Sequence, residues 1–142
     1  MAKILTGSLN VLIDTGFWFA LFEKGDQHHE EATAISDLLE NHNSLIPWPS
    51  LYETLNTRFI KRPEWVDTFR SFIENPKTIL VSDTSYKEIA LQKVLIQNQK
   101  TSLVDIVISE MLMDRDLKID YLITFNKKDF SAICAVRRIE IY

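Results

Sequence analysis

Leu9-Asn10-Val11-Leu12-Ile13-Asp14-Thr15-Gly16 is the stretch on which the reading of this chain turns. Leu9, Val11, Leu12 and Ile13 make a short, nearly continuous apolar run bounded by turn residues, the pattern of a central parallel strand covered by helices on both faces. Asp14 ends the run where a buried strand meets solvent. In open α/β sheets, ligands bind outside the carboxyl ends of the strands, which makes Asp14 the first candidate site residue. The same side chain also suits the N-cap of a helix beginning near Phe17.

Outward from that strand, the pattern alternates. Phe17–Phe22 reads as a short, largely buried helix broken by Lys24-Gly25-Asp26. Asp26 then caps a helix striped by Ala32, Ile35, Leu38 and Leu39. Ser44–Pro47 is a second strand, with Pro47-Trp48-Pro49 as an extended exit and Ser50 opening a helix over about Leu51–Ile60. Pro63 starts another helix, with Trp65, Phe69, Phe72 and Ile73 on its apolar face. Thr78–Val81 is a third strand. Asp83 or Thr84 caps a helix through about Gln97, and a further helix runs from Leu103 to about Asp114. Tyr121–Thr124 is a fourth strand, Asn126 to about Ile133 a short helix, and Val136–Ile141 alternates as an edge strand would. Strands alternating with helices require parallel pairing through right-handed crossovers, hence a three-layer α/β/α domain of about five strands.

Composition sets the outer limits. The 142 residues, 46% hydrophobic and 25% charged, suit one globular domain spanning 1–142. The single Cys134 excludes an intramolecular disulfide. No apolar stretch approaches the about 20 residues of a membrane span, and no signal-peptide apolar region opens the chain, so a cytoplasmic protein with no membrane partner is expected. A formal net charge of -4 leaves any nucleic-acid interface to local patches such as Lys127-Lys128 or Arg137-Arg138.

Three further acids share one local grammar: Ser50-Leu51-Tyr52-Glu53, Ser102-Leu103-Val104-Asp105 and Asn126-Lys127-Lys128-Asp129 each set a cap-forming residue three positions before a carboxylate. Singly, each is explained as a helix start. Jointly, the helix starts fall on Asp14's side of a parallel sheet. Acids gathered around one hollow raise one another's pKa unless a cation neutralises them, and an all-oxygen ligand set selects a hard ion, Mg²⁺ or Mn²⁺. A two-metal phosphodiester displacement suits these residue types.

Val11-Leu12-Ile13-Asp14-Thr15, Asp26-Gln27-His28-His29-Glu30-Glu31-Ala32, Ser50-Leu51-Tyr52-Glu53-Thr54, Ser102-Leu103-Val104-Asp105 and Leu122-Ile123-Thr124-Phe125-Asn126-Lys127-Lys128-Asp129-Phe130 resemble, in order, the motifs of PIN-domain ribonucleases, VapC toxins included. The resemblance implies a parallel sheet of order 3-2-1-4-5 and a metal-dependent endoribonuclease acting on RNA. It matches Asp14, Glu53 and Asp105 to the family's principal metal-site acids. The fourth position is open between Asn126, where family members often carry Asp, and Asp129. Thr15 and Thr124 match supporting polar positions. A homodimer and a small antitoxin protein are further implications, and the apolar first helix and the aromatic face of the Trp65 helix point to an association surface as well.

Other readings compete. A catalytically weak PIN-like binding module is favoured by Asn126. A receiver or phosphoaspartyl phosphatase would need an Asp-x-Asp pair after the first strand, but residue 16 is Gly. A nucleotide-binding loop would need more glycine than positions 7, 16 and 25 supply. His28 and His29 read as locally bonded or solvated, and Trp18, Trp48 and Trp65 as core.

Overall fold

Five parallel strands are hydrogen-bonded in the order β3-β2-β1-β4-β5 in a computed structural model that describes residues 8–96 and 100–142. In chain order the elements are β1 (Asn10–Ile13), α1 (Thr15–Phe22), α2 (His29–Leu39), β2 (Asn43–Pro47), α3 (Trp48–Thr54), α4 (Thr57–Ile60), α5 (Pro63–Ile73), β3 (Thr78–Val81), α6 (Lys87–Ile96), α7 (Leu103–Met113), β4 (Tyr121–Ile123), α8 (Lys127–Arg137) and β5 (Glu140–Ile141). Gly7, and Gln97 at the expected end of the α6 helix, lie outside the described residues.

The strands read as continuous apolar runs because both faces are buried. Val11 and Ile13 of β1, Ile46 of β2, and Tyr121 and Ile123 of β4 face one core with α1, α2, α4 and α5. The alternate residues Leu12, Leu45 and Leu122 face a second core with α6, α7 and α8. The expected α/β/α sandwich and the 3-2-1-4-5 order are therefore both present. β1 lies between β2 and β4, with Ile13 opposite Ile123. The strand order reverses beside β1, so the crevice outside its carboxyl end is the position where such sheets take ligands.

The aromatic faces of α1 and α5 pack against each other. Trp18 meets Phe69 and Phe72 edge-on, and Phe22 and Phe59 extend the cluster. The apolar surface expected to call for a second subunit is thus mostly consumed within one chain.

Several local expectations are corrected. The helix expected over Leu51–Ile60 is two helices, because Asn56 donates its amide to the Glu53 carbonyl that ends α3 and accepts the Phe59 N–H that starts α4. Leu55 is consequently exposed, while Phe59 turns fully into the core. Ser50 does not open α3. The helix begins at Trp48 with Pro49 in its first turn, a position proline tolerates, and Ser50 is buried inside it. Asp26 caps a turn ahead of α2, accepting from the His28 N–H, and the helix itself starts at His29. Of the expected edge strand Val136–Ile141, Val136 and Arg137 close α8 and only Glu140–Ile141 pair at the sheet edge. Phe130 and Cys134, four residues apart, anchor that helix to the second core until Arg138 ends it in the left-handed conformation, leaving β5 only Glu140–Ile141. Trp48, expected in the core, is 40% exposed, whereas Trp18 and Trp65 are buried as expected.

Candidate active site at the carboxyl ends of β1 and β4

Asp14 follows β1 directly, and Thr124 follows β4. The register that pairs Ile13 with Ile123 sets them side by side, and the Thr124 hydroxyl donates to Asp14 Oδ2 at 2.8 Å. The same hydroxyl oxygen accepts the Asn126 N–H at 3.0 Å, which fixes the direction of its own proton. Asp14 Oδ1 accepts the Thr15 N–H at 2.7 Å, so the side chain does cap α1. The two roles read from the sequence are compatible: one carboxylate oxygen caps while the other is held by Thr124.

Thr15 extends the network to α3. Its hydroxyl donates to Glu53 Oε1 at 2.7 Å across 38 residues of sequence. Asp105 enters from the first turn of α7, where its backbone N–H is capped by the Ser102 hydroxyl at 3.1 Å, the one cap of the three Ser/Asn-x-x-acid motifs that forms as expected. Asn126 makes no side-chain cap. Instead its amide donates to Asp129 Oδ2 at 2.6 Å, which joins the two contenders for the fourth position to each other.

The acids interact as one group. Burial raises the Asp14 carboxyl above its ordinary range against the pull of Thr124 and Thr15, and Glu53 adds to the rise. Asp105 is pushed up to about 6, first by desolvation and then by the charges of Asp14, Asp129 and Glu53, with only the Ser102 hydrogen bond opposing them. Among the described residues, no cationic side chain contributes to either shift. Ion pairs on Glu23, Glu31, Asp67 and Glu110 lie elsewhere. Lys127 and Lys128 are exposed in the first turn of α8, beside Asp129.

Among the described residues, no three His, Cys, Asp or Glu side chains form a ready-made metal cage. The residues nevertheless fit a hard divalent ion. Mg²⁺ keeps several waters and takes only one or two carboxylates, and a like-charged, all-oxygen cluster with no counter-charge is the environment that such an ion relieves. Asp14, Glu53 and Asp105 are the side chains that would hold such an ion, with the exposed Asp129 and Asn126 as further candidates.

No family model and no curated protein matches the sequence. A solved structure does: the sarcin-ricin loop cleaving toxin VapC20 of Mycobacterium tuberculosis superposes with a TM-score of 0.67 over 86% of this chain and 94% of that one. The fold is that of a PIN-domain toxin. At 19% identity the likeness is one of backbone, so the roles of side chains on this PIN fold rest on their own geometry.

Two features escaped the sequence. His28 stacks flat on Phe125, with centroids 4.3 Å apart and planes 2° from parallel, while His29 Nδ1 lies 2.8 Å from the Ala20 carbonyl. Both histidines are locally engaged, as expected, but the Phe125 partner lies 97 positions on and leaves no local signal. The second feature is the exposure of Trp48 and Tyr52 beside Glu53.

Proposed function

We propose that this chain is a divalent-metal-dependent endoribonuclease that hydrolyses RNA phosphodiester bonds, either as the toxin of a toxin–antitoxin pair or as an RNA-processing nuclease. The observation that carries the reading is the uncompensated group of Asp14, Glu53, Asp105 and Asp129 at the topological switch point of a fold shared with an RNA-cleaving toxin.

In this reading Asp14, Glu53 and Asp105 hold Mg²⁺ or Mn²⁺, with the fourth position filled by Asp129 or by the Asn126 carbonyl. When bound, such an ion supplies Lewis acidity to the phosphate and a more acidic water. The rest is done by the chain. Thr124 and Thr15 fix the carboxylate orientations in advance, so little reorganisation is left to substrate binding. Lys127 and Lys128 draw the RNA backbone toward the acids by counterion release. No side chain need attack phosphorus.

Purified protein incubated with mixed single-stranded and looped RNAs at low salt is expected to cleave with Mg²⁺ or Mn²⁺ and to stop on addition of chelator. Cleavage that survives chelation, or none on any RNA, is the adverse result. The second reading, a PIN-like RNA- or protein-binding scaffold, is favoured by Asn126, and the same assay separates it: binding without turnover.

The homodimer and the small antitoxin partner belong to the same reading. Light scattering at micromolar concentration is expected to give a dimer mass, and a monomer removes that proposal. A basic side chain of an antitoxin placed among the carboxylates would supply the charge they lack.

A further inference from the structure

We propose that the groove between α3, the start of α6 and α7 takes an unpaired nucleobase of the RNA strand, stacked on Tyr52. The inference rests on the ribonuclease reading and names the form of substrate that site accepts.

Tyr52 is 73% exposed and directly precedes Glu53. Trp48 lies four residues earlier on the same face of α3, and its ring backs the tyrosine at 6.1 Å and 44°. Neither aromatic belongs to the two core clusters, and the Tyr52 ring stands mostly in solvent. A ring held in that way is a stacking platform that accepts any base, because every base has a π-face.

The groove beside it encloses about 310 Å³, within the range of small-molecule sites. Pro49, Leu103, Val104 and Val107 form apolar walls, and Asp83 and Lys87 supply an acceptor and a donor. A nucleobase needs that combination, since it is flat and apolar on its faces and carries donors and acceptors on its edge.

Glu53 ties the groove to the acids. It lines the groove and also accepts the Thr15 hydroxyl beside Asp14, so a base seated on Tyr52 belongs to a nucleotide next to the phosphate at the carboxylates. A paired base has both faces stacked and its edge occupied, and cannot enter. The groove therefore selects single-stranded or looped segments.

The test is fluorescence anisotropy at low salt in chelator, where nothing is cut, with a labelled single-stranded RNA, its duplex, and a fully abasic strand of the same length. Tyr52→Ala is expected to weaken single-strand binding about 5- to 100-fold, the worth of one stacked base, and Tyr52→Phe to stay within about 2-fold of the parent. The duplex is expected to bind more weakly than the single strand, and the abasic strand to bind parent and Tyr52→Ala alike. Equal binding of the intact single strand by parent and Tyr52→Ala overturns the proposal, as does an equal loss on the abasic strand or binding of neither RNA. An occupant other than RNA, such as an apolar protein side chain, gives the first of those results. Metal-dependent cleavage that persists in Tyr52→Ala with unchanged binding removes the groove and leaves the nuclease. Tyr52-dependent binding without cleavage under any metal removes the nuclease and leaves the groove.

Discussion

Asp14→Asn is expected to lower RNA cleavage by at least about 100-fold while the protein stays folded, because the substitution removes the charge at the centre of the cluster and retains its volume. Asp14 accepts from two donors, the Thr124 hydroxyl and the Thr15 N–H, one on each oxygen. An amide has one acceptor oxygen, so one of the two buried donors loses its partner at a cost of about 1–3 kcal/mol. Relief of the buried charge offsets part of that cost. Circular dichroism is therefore expected to remain native with a modest drop in melting temperature. Glu53→Gln and Asp105→Asn are expected to be comparably severe, and the double variants to add little, since groups acting as a unit are strongly non-additive. Full turnover in Asp14→Asn would remove the assignment. At the fourth position, Asp129→Ala is expected to cost more activity than Asn126→Ala, because Asp129 carries the charge that Asp105 feels and Asn126 acts on it through one hydrogen bond. The reverse ranking would give the fourth position to Asn126.

Metal-free protein is expected to melt at a higher temperature at pH 5 than at pH 7.5, and Asp105→Asn to remove most of that difference. The Asp105 carboxyl titrates near its ordinary 3.8 in the unfolded chain and at about 6 in the fold. Between those values the folded protein holds a proton that the unfolded chain has released, so stability falls as pH rises through the window and stays lower above it. Asp14, raised in the same direction, adds to the effect. Asp105 is only about half buried, and pH 5 already lies past its unfolded-state midpoint, so with solvent screening its share of the difference between pH 5 and pH 7.5 is about 0.5–1 kcal/mol, or about 2–4 °C in a domain of this size. Asp105→Asn is neutral throughout, so it is expected to melt above the parent at both pH values, and by more at pH 7.5 than at pH 5. Mg²⁺ is expected to raise the parent's melting temperature more at pH 7.5 than at pH 5, because protons and the ion compete for the same oxygens. A parent melting curve independent of pH between 5 and 7.5, or a larger Mg²⁺ effect at pH 5, contradicts this account of the cluster.

Some of this was fixed by the chain alone. Val11-Leu12-Ile13, Leu45-Ile46 and Tyr121-Leu122-Ile123 are apolar at every position, which is possible in water only for strands covered on both sides, and that compels a parallel sheet with helices on each face. A charged or hydroxyl side chain at the first residue past β1 and β4, Asp14 and Thr124, then marks the edge where ligands bind. Ser102 and Asp105 fixed the start of α7, because capping is decided within four residues.

Longer-range matters were decided only in three dimensions. Asp14 caps α1 with one oxygen, as its local sequence allows, but the partner of its second oxygen is Thr124, a residue 110 positions away. Ser50 and Glu53 have the spacing of a capping box, but Pro49 moves the helix start back to Trp48, and Glu53 bonds to Thr15 instead. Asn56 splits the expected Leu51–Ile60 helix by bonding on both sides of itself, and hydrophobic periodicity carries no trace of that. Trp48 and Trp65 are the same residue type, each in the first turn of a helix that carries a proline there, yet only Trp65 is covered, because Phe22 and Phe59 come to it from two other helices. Local sequence specifies what a segment can form; which of its side chains is buried, paired or left in solvent depends on partners that only the packed sheet brings within reach.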